Sequence, residues 1–500
     1  MSYVRNYGSS GADGVISNFD AEGDWIGDTG LSTAPDAVPF STGGGFGNVT
    51  SAAGIEATKG PKLTSLVSFN GADGALPFSS LITNAAGDLI GTTYEGGAHN
   101  YGTVFEIATT EGGYAKKPNT LVSFNGADGQ NPKGSLITDA AGDLIGTTYA
   151  GGADYGTVFE IAMTEGGYVK KPTTLASFDG IAWANPCGSL ITDAAGDLFG
   201  TTNDGGAYGP GAVFEIAKTK HGYAKSPTTI ASFNGGDGQN PQGSLIADAA
   251  GDLFGTTALG GADNGGTVFE IVKTEGGYAS APTTLASFSQ GLGPGHSSLI
   301  IDAAGDLFGT TAQGGAGGGT VFEIVKTEGG YASAPTILVS FTGADGANPY
   351  GSLIIDAAGD LFGTTYQGGA GGGGTVFEIA KTQGGYASAP TTLVSFNGAD
   401  GQYPVGSLIA DAAGDLFGTT EYGGTDSDGT VFEITNSGFV SPTAPAAHAG
   451  ADITHPSPSA AAFVQAMASH GASWLGSGGP EVLASRNDMP MLLSRPHAAF

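Results

Sequence analysis

Carboxylates recur along this 500-residue chain at a fixed spacing. A Glu stands inside the phrase VFEI at 106, 160, 215, 270, 323, 378 and 433, and an Asp closes the phrase AGD at 88, 143, 197, 252, 306, 360 and 415. In most copies that Asp has a partner four residues earlier, as DAAGD, and hard cations take carboxylate oxygens. The phrase nevertheless lacks the third and fourth oxygen donors of a calcium loop, and its first Asp is Asn84 in the first copy, so a tight turn suits these residue types better. Loops reading NGADG, TGADG or NGGDG add Asp73, Asp128, Asp237, Asp345 and Asp400, but DGIAW and SQGLG replace them in two copies. A sevenfold metal ring is thereby excluded. One or two isolated calcium sites stay open, and no cofactor is implied. The VFEI glutamates are expected to hydrogen-bond the Thr pair of the phrase GTT or the backbone, since a buried carboxylate must find partners.

Nucleophilic and metal-hydrolase chemistry finds little material. Neither G-x-S-x-G nor H-E-x-x-H occurs, and only His99, His221 and His296 fall outside the C-terminal tail. The single Cys187 has no neighbouring thiol for a disulfide or a zinc site. One position varies in an otherwise monotonous pattern: two residues before each Ser-Leu pair stand Phe78, Lys133, Cys187, Gln242, His296, Tyr350 and Val405. Segments after the GTT phrase add Tyr94, Tyr149 and Tyr366, with Asp204 and Glu95 nearby. Aromatic platforms beside polar groups suit sugar rings, through stacking and hydrogen bonds. The candidate ligand-binding residues are therefore Phe78, Lys133, Gln242, His296, Tyr350, Tyr94, Tyr149 and Tyr366, against the plainer reading of an exposed loop position that drifts. No catalytic residue and no metal ligand is assigned.

Short strands must position these groups. Each unit of 53 to 55 residues reads SLI, DLFGTT, TVFEI and TLVSF, four apolar runs of strand length separated by Gly, Asp and Pro turn chemistry. No window keeps a 3.6-residue period without Gly or Pro, which excludes helical repeats. Seven such units predict an all-β, seven-bladed β-propeller of four-stranded antiparallel blades. The first recognisable run, Ser65–Phe69, is a fourth strand and the last, Thr430–Ile434, is a third, so the N-terminal strand is expected to complete the last blade and remove two free edges. Residues 1–62, rich in Gly, Ser and Asp, are expected to be mostly disordered. The propeller is placed at 63–436, a Pro-rich linker at 437–458, and a mostly disordered tail with one helix (459–469) at 459–500. A monomer is expected.

The repeat phrases SLIxDAAGDLFGTT, GTVFEI and TLxSF, across about residues 64–435, resemble the GloVer tandem repeats of bacterial choice-of-anchor proteins. Their hairpin core DAAGDLFGTT is also distantly similar to NHL-type propeller repeats. The resemblance implies the architecture and a surface location, with no catalytic residue to carry over. The tail departs from it, having neither a hydrophobic anchor nor a basic stop sequence. The formal charge of −31 disfavours nucleic acid and anionic membrane as partners, and no apolar run is long enough for a membrane span. Acidic, Gly-rich, Cys-poor composition points to an extracellular or cell-surface protein without a recognisable N-terminal signal peptide, with the cytoplasm as the alternative. The leading functional expectation is a noncatalytic module binding a carbohydrate or protein partner at the central channel mouth. Two other classes stay open: a polysaccharide lyase or hydrolase acting at that mouth, and a passive structural array.

Overall fold

The second unit shows how each phrase becomes a strand. Its strands Ile137–Thr138, Leu144–Thr148, Tyr155–Ile161 and Thr173–Ser177 pair antiparallel in that spatial order. The first hairpin forms because the Asp139 carboxylate accepts the N–H groups of Ala141 (2.8 Å) and Asp143 (3.1 Å), while Gly142 takes φ +86°. Leu144–Thr148 is buried along its whole length, as are five other copies of that strand and the first five residues of the longer blade-three copy. Gly146 allows the VFEI ring of Phe159 to lie against it: a Cβ there would come within 2.7 Å of Leu136 and 2.8 Å of the Phe159 ring. The Phe of the Ser-Phe pair then meets the VFEI Phe edge to face, at 4.9 to 5.0 Å in five units.

The computed structural model describes residues 60–442 and, before them, the two short strands Ser17–Phe19 and Trp25–Asp28. Residues 60–442 hold seven antiparallel sheets of mostly four strands, a seven-bladed β-propeller. Blade three gains an extra strand, Trp183–Pro186, along its elongated Leu198–Gly205, and blade two a short parallel pairing at Gly151–Gly152. The clasp is present: Lys62–Ser68 pairs with Thr430–Thr435, placing Ser65 opposite Phe432 and Val67 opposite Val431. Closure also shows at the centre. The N–H of Ser80 donates to Ser135 Oγ, Ser135 to Ser189, Ser189 to Ser244, Ser244 to Ser298, Ser298 to Ser352, Ser352 to Ser407, and Ser407 back to Ser80, at 2.8 to 3.1 Å. One serine per blade thus forms an unbroken ring.

Neighbouring blades are also tied by the segment between third and fourth strands, which folds into a small two-stranded hairpin in six blades. Its Tyr packs on the second-strand aromatic of the preceding blade, as Tyr278 on Phe199 (5.5 Å) and Tyr331 on Phe254 (5.4 Å). Its Lys reaches that blade's first Asp, as Lys218 Nζ to Asp139 (3.0 Å) and Lys326 Nζ to Asp248 (3.4 Å). Blade seven has no such hairpin, and the chain after Thr435 supplies the contacts instead. Phe439 packs on Phe362 (5.1 Å) where the Tyr would lie, and the Val440 N–H donates to Asp356 Oδ2 (3.0 Å) where the Lys would reach. The packing therefore continues past position 436, to Ser441, whose hydroxyl donates to the Asp411 carbonyl (2.6 Å). Ser17–Phe19 and Trp25–Asp28 pair antiparallel with each other. The helix expected at 459–469 lies outside the described residues. Among the described residues no helix is long and apolar enough to cross a membrane.

Candidate functional site

Antiparallel strands place their connections alternately at two ends, so each propeller face has its own chemistry. The DAAGD turns and Lys-bearing hairpins share one face. The segments entering the first strands share the other with those leaving the second strands.

On the first face the VFEI glutamates depart from expectation. The second GTT threonine meets the threonine before VFEI across the second and third strands, as Thr148 Oγ1 and Thr157 Oγ1 (2.8 Å) and Thr365 Oγ1 and Thr375 Oγ1 (2.8 Å), while Thr147 Oγ1 and Thr202 Oγ1 are buried without a partner. The glutamates point instead toward the DAAGD turn of their own blade. In blade two, oxygens of Asp139, Asp143 and Glu160 lie within 4.8 Å of one another. Burial, then the charges of Asp143 and Asp139, raise the Glu160 pKa, and the same causes act on Glu215, Glu270, Glu323, Glu378 and Glu433. Burial also works against the Asp139 carboxylate, but hydrogen bonds from Lys218, Ala141 and Asp143 outweigh it and hold its pKa below the ordinary value. In the six blades with a hairpin the second Asp accepts a backbone N–H from its start, as Asp143 from Met163 (2.7 Å), and in blade seven Asp415 accepts from the Asn436 backbone. The aspartates are turn and inter-blade fastenings. The NGADG aspartates are likewise turn-formers: Asp128 accepts from the Asn125 N–H (3.0 Å) and side-chain amide (2.7 Å).

The second face carries the variable residues. Each stands two residues before a member of the serine ring, so the seven encircle it. Neighbours pair with the residue that follows GTT, which forms a second circle of Tyr94, Tyr149, Asn203, Ala258, Ala312, Tyr366 and Glu421. Phe78 meets Tyr94 edge to face (5.3 Å), Lys133 Nζ lies 5.3 Å from the Tyr149 ring centre, and Gln242 Nε2 donates to Asn203 Oδ1 (2.7 Å). Gln242 Oε1 is buried without a partner. Blades five to seven form a continuous aromatic arc. His296 meets Tyr350 (5.9 Å), Tyr350 meets Tyr366 (5.3 Å), Tyr366 stacks on Tyr403 (4.7 Å, 22° between planes), and Tyr403 meets Tyr422 (6.1 Å). Of the eight predicted residues, His296, Tyr350 and Tyr366 belong to this arc, and Phe78, Tyr94, Lys133, Tyr149 and Gln242 line the remainder of the circle.

Electrostatics set the arc apart. Glu421 is buried beside Tyr366 and Tyr422; burial raises its pKa more than hydrogen bonding from the two phenols and the Lys133 charge lower it. Burial and the Glu421 charge push the Tyr366 hydroxyl up in turn. His296 is open to water at the mouth but walled by protein, which together with Lys133 lowers its pKa and leaves the imidazole neutral at pH 7. Burial pushes the Cys187 thiol up to about 11, so it is no thiolate at neutral pH. The arc thus offers open aromatic faces, neutral donors and one carboxylate. Sequence reading missed Tyr403 and Glu421. Variation at the position after GTT was the available signal for Glu421, and a Tyr where four other units place Asn before Pro was the signal for Tyr403.

The Gloeobacter/Verrucomicrobia repeat pattern matches residues 55–226, 171–334 and 330–468. The chain belongs to that repeat family. No curated protein matches it. Among solved structures, a Bacteroides uniformis protein assigned as a 6-phosphogluconolactonase is 14% identical, covering 68% of this chain and 89% of its own, with a TM-score of 0.43. A Thermus thermophilus protein assigned as a glucose dehydrogenase is 14% identical, covering 75% and 100%, with a TM-score of 0.38. A luciferin-regenerating enzyme is 15% identical, covering 61% and 91%, with a TM-score of 0.37. Likeness at this level carries nothing about the chemistry of this family member.

Proposed function

We propose that this repeat propeller is a noncatalytic recognition module, outside the cell or on its surface, that binds a carbohydrate across the serine-ring face. The observation that carries the reading is the arc of five aromatic rings from His296 to Tyr422 beside the buried Glu421. Pyranose rings present apolar C–H faces that pack on aromatic rings and hydroxyls that need a few fixed polar partners. Closed blades hold these groups on a rigid frame, so little ordering cost is left for binding. The acidic, Cys-poor composition supports the location. Within the arc Glu421 is the one carboxylate that hydrogen-bonds the rings, Glu95 reaching Tyr422 only through its charge, whereas glycoside hydrolysis by the two-carboxylate route takes a pair flanking the bond cleaved. That favours binding over turnover.

A printed glycan array probed with the full chain tests the reading. Binding without product release, weakened about tenfold or more by Tyr350→Ala and by His296→Ala, is the expected result. Shortened oligosaccharide products would replace it with the lyase or hydrolase reading. Silence on every saccharide would leave a passive array.

A further inference from the structure

The repeat has a rule at its blade junctions; it lapses where Gly293 and Pro294 enter blade five, and it is broken at two adjacent junctions around Glu421 by bulky residues that keep the left-handed backbone. In four units the residue before the proline that enters the first strand is Asn, at positions 131, 185, 240 and 348, with φ between 54° and 58°. Asn tolerates this left-handed conformation better than other side chains, and a following proline ordinarily drives a residue away from helical backbone. Each Asn repays the conformation by donating its amide across the junction to the carbonyl of the residue after GTT. Asn131 donates to Tyr94 (2.9 Å), Asn185 to Tyr149 (3.0 Å), Asn240 to Asn203 (2.9 Å) and Asn348 to Ala312 (2.7 Å).

Tyr403 occupies the same place with φ +62°, before Pro404, although a bulky residue is strained there. Its backbone keeps the native pattern: its N–H donates to the Gly373 carbonyl (2.7 Å) and its carbonyl accepts from the Glu421 N–H (3.0 Å). Tyr403 has no amide with which to clamp the Tyr366 carbonyl, and its ring lies on the Tyr366 ring instead. At the next junction Leu76, φ +56°, again replaces Asn, beside Glu421. Two adjacent junctions have therefore given up a clamp and accepted strain, and they flank the one carboxylate of the second circle. Local rules are broken in this way where function opposes stability.

We propose that Tyr403, Tyr366 and Glu421 form the primary subsite for one uncharged sugar ring: the stacked pair carries its C–H face and Glu421 accepts from its hydroxyls. This rests on reading the serine-ring face as a saccharide site. The uncharged class follows from Glu421 and the net charge of −31, which oppose a uronate, and from the Lys133 ammonium, whose charge is felt at Glu421 and His296 and opposes a cationic amino sugar.

The test uses the full chain on an array of neutral, uronate and amino-sugar oligosaccharides, with Tyr403→Asn, Tyr403→Phe and Tyr350→Ala variants and a melting curve for each. Neutral saccharides should bind. Tyr403→Asn should bind about tenfold more weakly or worse and yet melt higher, because Asn restores the clamp to the Tyr366 carbonyl. Tyr403→Phe should bind as the parent does. A Tyr403→Asn protein that binds unchanged, or melts lower, overturns the proposal, as does a preference for uronates or amino sugars. Loss of binding in Tyr350→Ala but not in Tyr403→Asn leaves the saccharide reading standing without this subsite. If no saccharide is held, both fall.

Discussion

A Thr64→Cys, Glu433→Cys pair should lock the propeller shut. The two residues face each other across the clasp, and the bond would close a loop of about 370 residues. The one native thiol, Cys187, is buried and does not compete. Chain-entropy reasoning assigns a loop of that length about 6 kcal/mol at 25 °C, and engineered bonds commonly deliver about 2–4 kcal/mol of such a figure. With about 2.1 cal/mol/K of unfolding entropy per residue, spread over the blades, the oxidised form should melt roughly 3–5 °C above its own reduced form. Comparing the two redox forms of one protein removes the separate effect of losing the Glu433 charge. Differential scanning calorimetry with and without reductant, alongside free-thiol titration, gives the result. Two thiols that stay free under oxidant, or an oxidised form that melts no higher, would refute the reasoning that terminal strands hold the ring closed.

Two further outcomes follow from the other face. Six VFEI glutamates have folded pKa values raised by burial and by their Asp pairs. A carboxyl raised on folding contributes stability that is complete below its unfolded pKa, about 4.3, and lost as pH rises through the folded value. Asp139 and His296, both lowered on folding, work the other way, and His296 does so within this interval, so the measurement is made in a His296→Gln background, where six groups stand against one. The melting temperature should therefore rise between pH 8 and pH 5, and a fall over that interval would contradict the carboxylate assignment. Phe439→Ala, which empties the buried place on Phe362, should cost about 3 kcal/mol in a denaturant titration. A loss below about 1 kcal/mol would mean that the segment after Thr435 does not help hold blades six and seven.

The architecture was legible because three phrases kept step, and because the series opens on a fourth strand and closes on a third. Ser65 opposite Phe432 is the pairing this implies. The VFEI glutamates were misjudged for a local reason: in six blades the second GTT threonine pairs with the threonine before VFEI, leaving the carboxylate to the DAAGD turn. The role of Phe439 was hidden because one aromatic side chain replaces a Tyr from a hairpin that blade seven lacks. At the mouth, variation before the Ser-Leu pair located His296 and Tyr350. Glu421 and Tyr403 escaped because two differently placed segments, one per blade edge, meet only when neighbouring blades are set side by side.

The central claim is that departures from the repeat build the binding face. Replacing them with residues used by other blades, as Tyr350→Gln, Tyr366→Ala, Tyr403→Asn and Glu421→Ala in one protein, tests it most directly by calorimetric titration with the saccharide the parent chain holds best. The account predicts a monomeric propeller that melts at least as high as the parent and gives no binding heat. A folded variant that binds with the parent's affinity would contradict it.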